Sequence, residues 1–213
     1  QMARHVADLV PVAASTALGD DVLEVLDKTL FDGSRLDEAE KDSARALFAR
    51  MTPGLAPGYR FELVFRSGER IGANAFALPT GTIVVTDELI KAIEHPGELE
   101  SILAHEVGHV VQRHSLRQLI QGSTIALIMM AVTGDISAVA AMSGALPVLL
   151  TETYYSREFE READQYAYDH LHARGISPQH FVRILERIAG SGETIGFLST
   201  HPSVDERLQT FSR

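Results

Sequence analysis

The run His105-Glu106-Val107-Gly108-His109 is where residue types and spacing meet a definite chemistry. Positions i and i+4 of a helix lie one above the other on one face. Two imidazoles placed there can bind one zinc ion at about 2.0–2.1 Å each. Glu106 stands beside them and can reach a metal-bound water without ligating the metal. Two ligands and a general base are the layout of a zinc hydrolase. Gly108 costs about 1 kcal/mol against Ala in mid-helix, which makes sense if something must approach the helix closely at that point.

A zinc site needs a third protein ligand. The chain has no Cys, so His or a carboxylate must serve. Three residues after His109 stands Gln112, and position 115 is Ser115, so the third His of the pattern HExxHxxGxxH is absent. The run Glu160-Arg161-Glu162-Ala163-Asp164 lies inside a helical stretch of about 152–174, and Glu160 and Asp164 share a face. One of the two can ligate zinc while the other holds a ligand histidine by its remaining ring N–H. His114 falls five residues past His109, about 140° around a continuous helix, off the ligand face. His170 and His172 are two apart, the wrong spacing for a shared face. With His5, His95 and His180, these three read as structural or exposed.

Several elements must position these residues. A first helix is expected through Val22, Leu23, Val25, Leu26 and Leu30, capped by Asp20 or Asp21. A second runs from about Leu36 to Met51 and stops where Thr52 precedes Pro53. From Tyr59 the period changes to two: Tyr59, Phe61, Leu63 and Phe65 alternate with Arg60, Glu62, Val64 and Arg66, which is strand behaviour. Ser67-Gly68 reads as a hairpin turn, Ile71–Phe76 as the next strand, and the β-branched run Thr82–Thr86 as a third. Residues 97–117 read as one helix with a core stripe of Leu99, Ile102, Leu103, Val107 and Val110. Ser177-Pro178 opens a further helix, and a short one from Ser203 or Val204 closes the chain. Two uncharged runs, 118–134 and 136–151, are shorter than the roughly 20 apolar residues of a membrane span and are broken by Gly and Pro. They read as buried helices or a helical hairpin, or else as a lid facing a substrate or membrane.

Composition narrows the function classes. The chain has 213 residues, 45% hydrophobic and 23% charged, as an ordinary globular protein does. Lys and Arg number 19 against 29 Asp and Glu, a formal charge of −10. Such an acidic chain is a poor tracker of phosphate backbones, so no nucleic-acid partner is expected. The lack of Cys removes disulfides, thiolate metal sites and thiol nucleophiles. Gln1 rather than Met opens the sequence, which suggests a fragment or processed form, with any targeting segment or anchor outside it.

Four segments together resemble the HtpX/BepA/Oma-like zinc metallopeptidases, a gluzincin family. They are NAFALPTGTIVV (74–85), HEVGH (105–109), SREFEREAD (156–164) and HPSVDER (201–207). The resemblance implies an α+β, mostly helical, zincin-like fold with a sheet of about three strands beside the HExxH helix. It suits one domain over 1–213, with an N-terminal helical part at 1–58, a small sheet at 59–86 and a helical catalytic part at 97–213. It further implies one Zn²⁺ held by His105, His109 and Glu160, with Asp164 behind the ligands and Glu106 as general base. His201 then either donates to the oxyanion or occupies the fourth zinc position and holds the enzyme latent. Arg207 would act by charge-assisted hydrogen bonds.

Strand 82–86 has its own expectation. An edge strand beside a zinc helix can pair with an extended substrate, which would draw Asn74, Ala75, Phe76, Ile83 and Val84 into substrate binding; a plain structural strand is the other reading. The function implied is a zinc metalloendopeptidase for unfolded, membrane or envelope proteins, active in protein quality control, in a periplasmic or membrane-associated setting. The alternative is a latent zinc-bearing assembly or chaperone-like factor with gated proteolysis.

Overall fold

A computed structural model describes residues 2–55, 57–122 and 155–190, together with Phe197, His201 and Phe211. Among these residues there are eight helices and a four-stranded sheet. In chain order they are α1 (Met2–Leu9), α2 (Val12–Thr29), β1 (Asp32–Gly33), α3 (Glu38–Met51), β2 (Glu62–Ser67), β3 (Ala75–Ala77), β4 (Thr82–Thr86), α4 (Asp87–Ala92), α5 (Pro96–Val111), α6 (His114–Gly122), α7 (Arg157–Ala173) and α8 (Gln179–Gly190). The architecture is α+β and mostly helical, compatible with a zincin-like domain.

Local chemistry explains most helix starts. Asp37 caps α3 in a reciprocal box with Glu40: the Glu40 N–H donates to Asp37 Oδ1 at 2.8 Å, and the Asp37 N–H donates to Glu40 Oε2 at 2.9 Å. Ser156 caps α7 by accepting from the Phe159 N–H at 3.2 Å. His95 caps α5, its Nδ1 accepting from the Gly97 N–H at 3.0 Å, and Pro96 fills the first turn where its missing N–H costs nothing.

The sheet has the order β1-β2-β4-β3. β1 is antiparallel to β2, β2 is parallel to β4, and β3 is antiparallel to β4. It separates two apolar cores. Leu63, Phe65, Ala75, Ala77, Ile83 and Val85 face α3 and α5 in the larger core. Phe76 and Val84 face the other way, toward Val22, Leu26 and Phe31, with Leu116, Ile120, Tyr155 and Phe159 in the same cluster. β4 is therefore buried on both faces, which is why it reads as an unbroken β-branched run.

Several sequence expectations change here. The sheet has four strands, the extra one being the two-residue β1. Ser67-Gly68 does not join a hairpin, because β2 pairs with β4 in parallel and the chain passes through β3 first. Thr82–Thr86 is an interior strand with neighbours on both sides, so Ile83 and Val84 belong to the sheet core and β3 lies at the end of the sheet. α2 starts at Val12, well before Asp20. The single helix expected over 97–117 is two, α5 and α6, with a break at Gln112 and Arg113. The uncharged segment lies outside the described residues from 123 to 151, as does the closing helix from Ser203. No helix among the described residues is long and apolar enough to cross a membrane.

Candidate metal centre

α5 carries His105, Glu106 and His109, and all three are fully or almost fully buried. α7 packs directly across it. A Cβ on Gly108 would meet Ala163 Cα and Tyr166 Cβ at 3.1 Å and the Ala163 carbonyl at 3.2 Å. The glycine is thus the contact point that lets α7 close on α5. One turn of α7 brings Glu160 and Asp164, both buried, to the two histidines.

Three ring nitrogens and a carboxylate then converge. His105 Nε2 lies 3.0 Å from His109 Nε2 and 3.3 Å from His201 Nδ1. Glu160 Oε1 lies 3.0 Å from His201 Nδ1 and 3.4 Å from His109 Nε2, and Glu160 Oε2 lies 3.6 Å from His105 Nε2. One ligand atom from each of the four residues falls within 4.8 Å of all the others. The ligands of a tetrahedral ion held at about 2.0–2.1 Å stand roughly 3.3 Å apart. The donor set and its spacing therefore fit a metal ion.

Supporting contacts orient these groups. His105 Nδ1 lies 3.0 Å from Asp164 Oδ1, so its N–H donates to the carboxylate and Nε2 is left facing the cluster. His201 Nε2 is 3.4 Å from Glu106 Oε1. Burial would push the Glu160 carboxyl up, but the facing His201, His109 and His105 outweigh it and hold the group well below the usual carboxylate range. His109 stacks on Tyr155 with ring centres 4.1 Å apart, and His201 stacks on Phe197 at 4.3 Å. Burial pushes the Tyr155 phenol up; its hydroxyl pairs with Ser115 Oγ at 3.0 Å.

The expected metal residues His105, His109 and Glu160 thus meet, with Asp164 behind His105, and His201 stands in the same cluster. Asn74, Ala75 and Phe76 lie at or beside β3, with the Asn74 N–H donating to Thr86 Oγ1 at 2.8 Å. The Phe197 N–H donates to the Ala73 carbonyl at 2.9 Å, and the His201 N–H to the Phe197 carbonyl at 2.9 Å, so His201 is tied to the approach of β3. Arg207 lies outside the described residues.

One residue set aside from the sequence belongs beside the cluster. His114 Nδ1 is 2.9 Å from His109 Nδ1, and its Nε2 is 2.9 Å from Glu162 Oε2. Burial, then the neighbouring His109, pushes the His114 imidazole down to about 2. The angular reasoning that excluded it assumed one continuous helix. Arg113 instead takes a left-handed φ of 57°, and the chain turns back toward His109. No signal in the sequence marks that turn, since the position is Arg rather than Gly or Asn.

A buried histidine pair one helical turn apart and a carboxylate from a second helix form a cluster that could hold a metal ion, with a glutamate adjacent. Comparison with known proteins agrees. Residues 38–213 match the sequence pattern of Peptidase family M48, and the chain belongs to that family. It is 32% identical to Metalloprotease YcaL of Escherichia coli over 142 residues, 64% of this chain and 56% of that protein. It is 31% identical to the Beta-barrel assembly-enhancing protease of Yersinia pestis over 149 residues, 63% of this chain and 31% of the relative. Mitochondrial metalloendopeptidase OMA1 of Saccharomyces cerevisiae is 26% identical over 170 residues, 75% of this chain and 48% of its own. The matches thus span between about a third and just over half of these relatives' lengths.

Proposed function

We propose that the chain is a zinc-dependent endopeptidase that cuts unfolded or extended segments of membrane or envelope proteins as part of protein quality control. The observation that carries this reading is the meeting of His105 Nε2, His109 Nε2 and Glu160 at one point, with Glu106 next in line on the same helix. His105, His109 and Glu160 would hold the ion, and Asp164 keeps His105 turned toward it. Zinc bound there supplies a Lewis acid and brings the pKa of water down towards about 7.

Glu106 accepts the proton of the attacking water at its carboxylate and returns it to the leaving amine. His201 Nε2, beside Glu106, and Arg207 donate hydrogen bonds to the developing oxyanion. β3, which has β4 as its one strand neighbour among the described residues, pairs with an extended substrate through its main chain beside Asn74, Ala75 and Phe76. The chain's relatives include a β-barrel assembly-enhancing protease and a mitochondrial metalloendopeptidase, which supports a polypeptide substrate and a membrane-associated or envelope setting.

A second reading is favoured by one specific observation. His201 Nδ1 stands as close to Glu160 and His105 as the other donors do, 3.0 and 3.3 Å, and so completes a four-donor set. Catalytic zinc keeps one position open, whereas four protein ligands close the site. In this reading proteolysis is gated, and His201 must leave before substrate enters.

Cleavage of unfolded casein by the zinc-loaded chain tests both. The parent should cut, and Glu106→Gln should cut slower by roughly 10²–10⁴-fold while retaining zinc. Equal cleavage by that variant would reject the role given to Glu106. His201→Ala separates the readings: faster cleavage supports gating, slower cleavage supports oxyanion stabilisation.

A further inference from the structure

We infer that His114 and Glu162 form a hydrogen-bond relay that fixes the tautomer of His109 and so presents its Nε2 lone pair to the metal. The inference rests on the metal reading of the site. Both residues are positioning residues, acting through His109 rather than on substrate.

The proton order along the relay follows from its two ends. A carboxylate only accepts, so the ring nitrogen 2.9 Å from Glu162 Oε2, His114 Nε2, carries a proton. His109 turns Nε2 toward the cluster, and an imidazole nitrogen that ligates a metal carries no proton, so the ring's single N–H lies at Nδ1. His114 Nδ1 is therefore a bare acceptor. It lies 2.9 Å from His109 Nδ1, and two ring nitrogens at that distance need one proton between them. His109 Nδ1 supplies it, so His109 Nε2 stays unprotonated, 3.0 Å from His105 Nε2 and 3.4 Å from Glu160 Oε1. The two histidines are thus held differently. His105 leans on a carboxylate directly, at Asp164, while His109 reaches one through a second imidazole.

The fold supports this arrangement at several points. Left-handed backbone at Arg113, which L residues rarely adopt, ends α5 and turns His114 back onto His109. The His114 ring lies parallel to Phe159, 4.5 Å away with 9° between planes. Arg117 pairs with Glu162 and also lies over the Phe159 ring, 4.3 Å from its centre. Arg4 of α1 approaches the same carboxylate at 3.6 Å. His114 is fully buried, which keeps water from its contact with His109, and Glu162 is partly buried.

The test compares zinc affinity, by competition with a chromophoric chelator, and the visible spectrum of the cobalt-loaded chain. His114→Phe keeps the stacked ring and deletes both hydrogen bonds. It should weaken zinc binding by roughly 10–100-fold and shift the cobalt bands, while the metal-free chain melts as the parent does. His114→Gln, whose amide both donates and accepts, should recover part of the affinity. Unchanged affinity and cobalt bands in His114→Phe would overturn the relay, and so would a weakening matched by an equal loss of metal-free stability. If His114→Phe does not fold, Glu162→Leu decides by the same two readouts, with an unchanged spectrum and affinity overturning the relay. A parent chain that binds no zinc overturns the metal reading itself, which distinguishes that failure from the failure of the relay.

Discussion

At its N-terminal end, α5 follows the ordinary rules of helix capping. Pro96 fills the first turn, His95 accepts from Gly97, and Glu98 takes the Glu94 N–H at 2.8 Å and the His95 N–H at 3.3 Å. Arg187 of α8 neutralises Glu98 at 2.8 Å and reaches Glu94 at 2.7 Å. At the C-terminal end those rules lapse. No glycine stops the helix, Arg113 is the one non-glycine at positive φ among the described residues, and four buried imidazoles, from His201, His105, His109 and His114, follow one another in a chain of contacts of 3.3, 3.0 and 2.9 Å. Gly108 stands in the middle of the last two turns, where helix propensity disfavours it. The first end is arranged for stability and the second for a site, and the departures from local preference cluster at the second.

The widest expected effect is at the site end. Asp164→Ala removes the partner of His105 Nδ1 and should weaken zinc binding by roughly 10–100-fold, read by chelator competition. Unchanged affinity would mean that His105 needs no carboxylate behind it. Next is Gly108→Ala, which sets a methyl against Ala163 and Tyr166 of α7. Overpacking of that kind costs about 1–3 kcal/mol, and because the obstacle includes backbone, the upper half of the range is expected in denaturant unfolding. A neutral result would deny that the glycine is there for the approach of α7.

The N-terminal end predicts a pH effect. Burial pushes the Glu98 carboxyl up, but Arg187 and the two backbone N–H groups outweigh it, so its folded pKa lies below 4.5. Its stabilisation is complete above pH 4.5. It fades as pH falls below that value, where the unfolded chain takes up the proton first. Glu98→Gln should cost about 1.5 kcal/mol at neutral pH and flatten the acid side of the stability curve. An unchanged acid slope would remove Glu98 from the account. The smallest effect is at Arg113: Arg113→Ile should be less stable than Arg113→Gly by roughly 1–2 kcal/mol, since only the glycine takes left-handed backbone freely. Equal stability would mean that the turn relaxes.

What the sequence disclosed and what it hid divide along the same line. His105, Glu106, His109, Glu160 and Asp164 were readable because each pair lies within one helix, where spacing fixes which residues share a face. The starts of α3 and α7 were legible only roughly, at about Leu36 and at 152, and the caps that set them, Asp37 and Ser156, were not read. Nor was the order of the strands. β2 passes over β3 to pair with β4, Val64 against Val84, and a β-branched run looks alike at an edge and in the middle of a sheet. His114 was missed because a continuous helix was extended through Gln112 and Arg113, one residue of unusual backbone being enough to redirect everything after it.

Metal content tests the central claim most directly, that His105 and His109 of α5 and Glu160 of α7 hold one metal ion. Elemental analysis of the purified chain, reloaded with zinc and passed through a desalting column, should find one zinc per chain in the parent and none in Glu160→Ala. A parent without metal, or a Glu160→Ala variant that keeps its zinc as firmly, would contradict it.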